Sequence, residues 1–177
     1  MKICVFFHNF VKKYTLMEFS EVIQKRHSVR RYTDQPVDRE VIDTIISIAE
    51  TAPSSKNTHS SAFMVVEDKD TLAAIAEMRE RGSAFVKDAA AAIVVMGDTS
   101  KTDIWVENAS ISATFIQLAA TALDLGSCWV HVRERQRSKN DPSKGTAEEY
   151  LRALLGIKEE YKVLCVIALG YEAVPEQ

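Results

Sequence analysis

The chain has 177 residues, 46% of them apolar, and a formal net charge of -3 at pH 7. This length and apolar content suit one well-cored domain and leave little room for two. The acidic balance argues against bulk nucleic-acid binding, which is typical of basic domains. The three cysteines, Cys4, Cys128 and Cys165, form no Cys-x-x-Cys pair. That spacing disfavours a sequence-local metal site and favours reduced thiols in a cytoplasmic protein.

Regular hydrophobic patterning begins at Met17. Residues 1–16 show none and carry no cleavage-site motif, so we interpret them as an N-terminal extension, either disordered or upstream of the functional start, to a single domain of residues 17–177. A first helix is predicted from Met17 to Lys25. A second begins after Asp38, a favourable N-cap residue, and ends before Pro53, which disfavours helix at the residue preceding it. A polar loop over residues 53–61 follows.

The rest of the chain alternates between strand-like and helical patterns. Strands are predicted over residues 62–66, 91–96, 128–132 and 161–169, and helices over residues 69–80, 103–125 and 148–155, with a short helical turn at 85–89. The longest helix, 103–125, is apolar nearly all round and ends at a predicted glycine C-cap, Gly126. Its polar residues argue against a membrane span, so it is predicted to be a central helix packed on more than one side, with a second subunit as one partner. The element order predicts an α+β domain in which helices cover a sheet.

Residues 26–32 hold three arginines, a serine and a histidine. Arg26, Ser28 and Arg30 alternate, so an extended chain would place them on one face. The planar fork of arginine matches a phosphate group, and serine adds a small donor. The segment therefore predicts an anion site. A solvated cluster of surface cations explains the same composition, and that alternative stays open.

Four segments together resemble the nitroreductase family of FMN-dependent oxidoreductases. They are the Arg-x-Ser-x-Arg of residues 26–30, the Ala-Pro-Ser-Ser-Lys-Asn of residues 52–57, the helix and strand of residues 116–129, and the strand of residues 166–171. They occur in the family's order, and the resemblance extends from Met17 to Pro175.

The resemblance implies an α+β sandwich with a mixed or antiparallel sheet flanked by helices. It also implies a homodimer formed through the long central helix, with FMN at the interface touched by both chains. NADH or NADPH is the implied transient electron donor. The positions that the resemblance assigns to the cofactor are Arg26, His27, Ser28, Arg30, Pro53, Ser54, Ser55, Asn57, Asn108, Val130 and His131.

Three of these positions have more than one interpretation. Arg30 is the candidate cation beside flavin N1/O2, where fixed positive charge stabilises the negative charge of the reduced ring. Its alternative is an ordinary surface ion pair. His131 is either a flavin contact or a core or edge residue, and His27 is expected to face away from the anion site.

The chain also departs from the family pattern. His59, Ser60 and Ser61 stand where many members have Gln-Pro-Trp, and the C-terminal Lys-x-Arg that binds phosphate in many members does not occur. Arg133 and Arg135 are therefore the next candidates for the phosphate, with a solvated charge run as the alternative. The short loop of residues 98–103 implies an open flavin pocket.

The expected activity is hydride transfer from NAD(P)H through flavin N5 to a nitroaromatic, quinone or similar acceptor, by a ping-pong mechanism. No protein nucleophile and no metal is expected, and without a Gly-rich dinucleotide loop the donor would only visit the site. The expected partners are a second copy of the chain and a small acceptor, with no nucleic acid and no membrane. The alternatives are other flavin chemistry on the same fold (dehalogenation, flavin or enone reduction) and a non-catalytic flavin-binding module.

Overall fold

The structure is a computed structural model that describes residues 17–173, so the predicted extension at residues 1–16 lies outside the described residues. Within that range, five α-helices and four strands follow in the predicted order. The helices are α1 Phe19–Lys25, α2 Arg39–Glu50, α3 Lys69–Ala76, α4 Trp105–Ala122 and α5 Ala147–Leu155. The strands are β1 Ser61–Val66, β2 Ala91–Asp98, β3 Gly126–His131 and β4 Tyr161–Gly170.

The four strands form one sheet in the order β1-β2-β4-β3, and every neighbouring pair is antiparallel. The central strands β2 and β4 are buried on both faces, which explains their continuous apolar runs. The strands β1 and β3 form the two edges. The expected mixed or antiparallel sheet is therefore antiparallel throughout the described strands.

Helices cover both faces of the sheet, as the element order predicted. One apolar cluster joins α2 and α4 to one face, with Ile42, Ile45 and Ile116 packed on Ile93 and Ile167. A second cluster joins α3 and α5 to the other face, with Leu72, Ile75 and Leu151 packed on Val94 and Val166. Burying each of these side chains contributes about 1.5–3 kcal/mol. The described residues thus form a three-layer sandwich of helices, sheet and helices.

The long helix α4 turns one face to the sheet and α2 and leaves part of the opposite face exposed. Asn108, Ala113 and Ile116 are buried on the inner face, whereas Ile111 is 37% exposed on the outer one. This pattern fits the prediction of a helix that contacts more than one surface.

The end of α4 differs from the prediction. The residue with left-handed backbone is Asp124, with φ of 58°, and Gly126 already belongs to β3. Gly126 is required for a different reason, because a Cβ there would lie 2.8 Å from the Val29 side chain. The close approach of two backbones, and not a helix cap, accounts for this glycine. The predicted helix over residues 69–80 also ends early, at Ala76.

After α1 the chain runs extended along the β3 edge. The Val29 amide donates to the Ser127 carbonyl at 3.0 Å, and the Thr33 amide donates to the Tyr171 carbonyl at 2.9 Å. The Ala173 amide donates back to the Arg31 carbonyl at 3.0 Å. These bonds fix the arginine-rich segment to the sheet, so its side chains have defined positions.

Candidate functional site

Ser28 and Arg30 lie side by side at the β3 edge, as their alternation predicted. The Arg30 guanidinium donates to the Ser28 carbonyl at 3.4 Å and lies 6.0 Å from the centre of the Phe85 ring. Its side chain is exposed, and within residues 17–173 it forms no ion pair. The surface ion-pair alternative is therefore not what the structure shows. A cation fixed to a sheet edge with no internal counter-charge is available to an external anion.

His27 faces the other side of the extended segment. Its Nε2 lies 3.0 Å from a Glu172 carboxylate oxygen and its Nδ1 lies 2.8 Å from the Lys25 carbonyl. The Lys25 carbonyl, and then the Glu172 carboxylate, raise the pKa of His27. The expectation that His27 points away from the anion site agrees with this geometry. The Arg26 side chain, half-buried, makes no hydrogen bond or ion pair with the residues that the structure describes.

Cys128 lies behind the anion site. Burial raises the pKa of its thiol, while Arg30 and a hydrogen bond with Ser28 act in the opposite direction. The side chain is 1% exposed and packs in the sheet. The thiol is therefore a packing group, as its sequence context indicated.

The last residues of β3 alternate between the core and the surface. The Val130 side chain is 1% exposed and packs in the cluster that contains Val166, as the two-residue period of a strand requires. The flavin contact that the resemblance implies for Val130 stays a prediction, and it would come from the backbone. His131 is exposed and lies near Trp129, whose Nε1 donates to the His131 Nδ1 at 3.2 Å. Because the indole can only donate, the neutral imidazole carries its proton on Nε2.

Positive charge collects around His131. The Arg79 guanidinium donates to the His131 carbonyl at 3.4 Å. Partial burial, and then the charges of Arg135 and Arg79, lower the pKa of His131. Arg133 and Arg135 are the two further predicted phosphate ligands. The Arg133 guanidinium forms an ion pair with the neighbouring Glu134 carboxylate at 2.6 Å, which partly neutralises its charge. Arg135 is exposed, and its charge adds to partial burial in lowering the pKa of Arg79.

The second group of predicted residues lies before β1 and is organised by Asn108. This side chain is 2% exposed, and its Oδ1 accepts from the Ser55 amide at 2.9 Å. Its Nδ2 donates to the Ser60 hydroxyl at 2.9 Å and the Thr58 hydroxyl at 3.4 Å. The amide therefore holds the loop of residues 53–61 in place. Asn108 acts as a positioning residue for that loop.

The same loop holds an unusual backbone. Lys56, Asn57 and His59 have φ values of 50°, 55° and 44°, in the left-handed region that non-glycine residues rarely adopt. Each such residue costs on the order of 1–3 kcal/mol unless its surroundings enforce it. The Ser54 hydroxyl contributes by accepting from the His59 amide at 3.0 Å. A cavity of about 330 Å³ lies beside the loop, lined in part by Ser54, His59 and Ser112.

The two groups lie at opposite corners of the sheet. Ser127, which holds the Arg30 segment, aligns with Leu169 at one end of β4. Ser61, which follows the loop, aligns with Gly97 and through it with Lys162 at the other end of β4. Strand spacing and rise per residue place the groups roughly 25–30 Å apart. One small ligand cannot contact both groups of a single protomer.

An apolar groove lies between the two groups, on the outer side of α4. Its volume is about 410 Å³, and its walls come from α1, α2 and α4: Met17, Phe19, Val22, Ile48, Phe115, Leu118, Ala119 and Ala122. Phe19 is 71% exposed and Ile23, on the same helix, 50% exposed. An apolar surface of this kind marks a contact site in soluble proteins.

The sequence as a whole matches a known family. The sequence model of the Nitroreductase family covers residues 23–80 and 73–171, which is more than half of the chain. The chain belongs to the nitroreductase family. This nitroreductase-family chain is thus an oxidoreductase, as the four motifs indicated, and its sandwich is the family's fold.

Individual relatives agree with that assignment. A protein of Methanothermobacter thermautotrophicus, provisionally named NADH dehydrogenase/NAD(P)H nitroreductase, is 37% identical over 164 residues, covering 91% of this chain and 81% of that protein. The structure of an FMN-dependent nitroreductase from Clostridium difficile superimposes with a TM-score of 0.81 at 40% identity, covering 88% of each chain. Iodotyrosine deiodinase 1 of Rattus norvegicus is 44% identical over 63 residues, covering 36% of this chain and 22% of the deiodinase.

Sequence reasoning missed three neighbours of the site. Phe85 lies under Arg30, Trp129 fixes the His131 ring, and Arg79 reaches the His131 backbone. Periodicity predicted helical structure at Arg79 and Phe85, but it carries no signal for which side chains meet across the fold. Among residues 17–173 there is no cluster of His, Cys, Asp and Glu that could hold a metal, and no helix there is long and apolar enough to cross a membrane.

Proposed function

We propose that this nitroreductase-family chain is an FMN-dependent enzyme that takes electrons from NADH or NADPH and delivers them to a nitroaromatic, quinone or similar acceptor in a ping-pong cycle. The observation that carries the proposal is Arg30, a cation fixed at the β3 edge beside Ser28 and without a counter-charge among residues 17–173. Arginine and serine at an open edge suit the phosphate or the electron-rich ring edge of a flavin nucleotide.

The residues at both corners fit a flavin nucleotide. At the β3 edge, Arg26, Ser28 and Arg30 would hold its anionic parts, with His131 beside its ring. At the β1 edge, Pro53, Ser54, Ser55 and Asn57 would line the ring or its tail from the neighbouring protomer. Asn108 would act indirectly, by holding the Ser55 amide in position. Arg135 is the better of the two further phosphate candidates, since Arg133 is paired with Glu134.

The separation of the two corners supports a homodimer. A ligand that contacts the Arg30 segment of one protomer and the Ser55 loop of another needs the two chains side by side. The apolar groove on α4 is the surface that would bring them together. Symmetric pairing through one patch gives two equal sites per dimer.

Bound FMN supplies the redox chemistry, because its N5 accepts a hydride from NAD(P)H and later passes electrons to the acceptor. The task of the protein is electrostatic and geometric. Arg30 stabilises negative charge at the N1/O2 edge, and the left-handed Lys56–Asn57 turn keeps the loop pre-organised. The pKa of His131 is lowered, so its imidazole is neutral at physiological pH and adds no charge where the donor and the acceptor would bind.

Two buried free thiols, Cys128 and Cys165, support a cytoplasmic location, where thiols stay reduced. Burial raises the pKa of Cys165 well above its ordinary range, which keeps it unreactive.

The test is a visible absorption spectrum of the purified protein, with and without added FMN, followed by anaerobic titration with NADH and NADPH. We expect stoichiometric flavin and complete bleaching by at least one donor, then recovery of colour when a nitroaromatic or quinone is added. A protein that stays colourless in excess FMN would contradict the proposal. Bound flavin that neither donor bleaches would favour a non-catalytic flavin-binding module.

A second candidate reaction is reductive dehalogenation, which the partial likeness to iodotyrosine deiodinase 1 favours. Steady-state turnover with nitroaromatic, quinone, flavin, enone and halogenated phenol acceptors separates these chemistries. The first proposal predicts the highest kcat/KM for the nitroaromatic or quinone. A higher value for the halogenated phenol would replace it with the second.

A further inference from the structure

A cationic cavity lies beside the candidate site and is not used by it. Its volume is about 240 Å³, and it is lined by Arg79, Glu80, Arg81, Gln136, Arg137, Lys139 and Asn140. Four of these side chains are cations and one is an acid. That acid, Glu80, is already within 3.8 Å of the Lys144 ammonium. The cavity therefore carries an excess of positive charge.

The walls of this cavity are fixed by backbone hydrogen bonds. The Glu80 amide donates to the Arg137 carbonyl at 2.9 Å, and the Arg137 amide donates to the Gly145 carbonyl at 3.1 Å. These bonds attach the loop of residues 132–146 to the segment that follows α3. The cations consequently converge on a formed concavity, unlike those of a solvated charge run.

Arg137 is the most constrained of the four cations. Its guanidinium lies 4.0 Å from the centre of the Tyr150 ring, and its Nη2 donates to the Glu77 carbonyl at 3.2 Å. Its Nε is buried and has no hydrogen-bond partner among the described residues. Arg81 and Lys139 are exposed and likewise make no side-chain hydrogen bond or ion pair within residues 17–173. Exposed cations without counter-charges, beside an arginine held at the wall of the same cavity, are the arrangement expected for binding an external anion.

Arg79 connects the cavity to the flavin site. It lines the cavity, and it also donates to the carbonyl of His131, the exposed residue placed beside the flavin ring under the proposed function. An electron donor whose nicotinamide reaches the ring could therefore extend its adenosine end toward the cavity. NADPH differs from NADH by one phosphomonoester on that end.

We propose that the cavity formed by Arg79, Arg81, Arg137 and Lys139 binds the 2′-phosphate of NADPH and makes NADPH the preferred donor. The cavity is too small for a whole dinucleotide but has room for a phosphate group. The phosphate brings charge and acceptor oxygens to four cations, and NADH leaves the cavity empty. This inference rests on the proposed function for the identity of the donor, while the phosphomonoester chemistry follows from the cavity alone.

The test compares the FMN-loaded protein with the double variant R81Q/K139Q, which leaves the structurally engaged Arg79 and Arg137 in place. The charge-matched control is K158Q/K162Q, at exposed lysines that do not line the cavity. We expect KM for NADPH to rise at least about tenfold in R81Q/K139Q, because bonds to charged groups are worth that much each. KM for NADH, kcat with either donor and FMN content should stay unchanged, and the control should behave like the parent protein.

A binding measurement keeps this test separate from catalysis. Calorimetry of the FMN-loaded protein with 2′,5′-ADP and with 5′-AMP should show tighter binding of 2′,5′-ADP, and the difference should disappear in R81Q/K139Q. Equal binding of the two nucleotides by the parent protein would overturn the inference. Loss of FMN from the variant would also overturn it, by assigning the cavity to the flavin phosphate. If neither donor bleaches the flavin, the proposed function fails, and the nucleotide comparison still decides what the cavity binds.

Discussion

The two edges of the sheet carry the two halves of the candidate flavin site, and they are built in opposite ways. The β3 edge presents charge, with Arg30 exposed and paired with no carboxylate of residues 17–173. The β1 edge presents shape, with a strained loop whose amides and hydroxyls are bonded to the buried Asn108. An exposed cation attracts an anion whatever the conformation of the neighbouring backbone. The loop, in contrast, presents its amides and hydroxyls to a ligand in only one conformation. Changes at the β3 edge should therefore alter binding alone, and changes at the β1 edge should alter stability as well.

The largest effect is expected from separating the two protomers, because that takes the β3 edge of one away from the β1 edge of the other. Leu118→Asp places a carboxylate in the apolar groove on α4, where burial of an unpaired charge is costly. We expect a monomer that has lost bound FMN, measured by light scattering and by visible absorption. Leu154→Asp, at an exposed leucine on α5, is the matched control and should remain a flavin-bound dimer. A Leu118→Asp monomer that keeps its FMN would place the whole site in one chain.

A smaller effect is expected from removing the charge at the β3 edge. Arg30→Ala should weaken FMN binding by about 10- to 100-fold, the worth of a charge-assisted hydrogen bond. The free energy of unfolding of the FMN-free protein should change by no more than about 0.5 kcal/mol, because the side chain is exposed. Flavin fluorescence titration and urea unfolding measure the two quantities. Arg31→Ala, one residue away, should leave both unchanged, and an equal loss in that variant would reduce Arg30 to one of several surface charges.

At the β1 edge, Asn108→Ala should lower the free energy of unfolding by about 1–3 kcal/mol, because it leaves the half-buried Ser55 amide without its acceptor and the buried Ser60 hydroxyl without its donor. FMN binding should weaken as well, since the loop is no longer held. Urea unfolding without FMN, followed by flavin titration, tests both parts. Thr114→Ala, at an exposed position of the same helix, is the control. If Asn108→Ala bound FMN more weakly but kept the free energy of unfolding of the parent protein, the Asn108 amide would be a flavin contact and not a support for the loop.

The smallest effect is expected from pH. The pKa of His131 is lowered in the folded protein, so the unfolded chain binds the extra proton first as pH falls below about 6.5. The His131 contribution to stability is complete at neutral pH and is lost as pH falls from about 6.5 toward the depressed folded-state pKa. The free energy of unfolding in urea is measured against pH for the parent protein and for His131→Gln. The difference between the two profiles gives the His131 contribution to stability at each pH. A difference that does not vary with pH would mean that neither partial burial nor the charges of Arg135 and Arg79 lower the pKa of His131.

The sequence predicted the elements well because most of them are either strongly periodic or continuously apolar. The strands β2 and β4 are central and buried on both faces, so their apolar runs are unambiguous. The early end of α3 at Ala76 was not predictable from periodicity. Leu72 and Ile75 lie on the buried face of α3. Met78 continues their three-residue spacing and is also buried, but it lies in the irregular segment after the helix. The function of Gly126 was also out of reach, because it depends on Val29, nearly 100 residues earlier in the chain.

The candidate site was predictable in its residue types but not in its arrangement. The alternation in the Arg26–Arg30 segment indicated which side chains share a face, and alternation along β3 indicated in the same way that the Val130 side chain is buried while His131 is exposed. The distance between the Arg30 segment and the Ser55 loop follows from sheet order, which local patterns do not carry. The convergence of Arg79 and Arg137 likewise depends on tertiary packing between α3 and the loop before α5.

The most direct test of a flavin site shared between two protomers is complementation between its halves. Arg30→Ala and Asn108→Ala chains carrying different tags are co-expressed, and the mixed dimers are isolated at an FMN concentration that leaves each pure variant empty. One site of the mixed dimer then contains both lesions and the other contains neither. The shared site predicts about one FMN, with donor-dependent bleaching, per mixed dimer. A mixed dimer as empty as its parents would contradict it, since each chain would then build its own site and carry its own lesion.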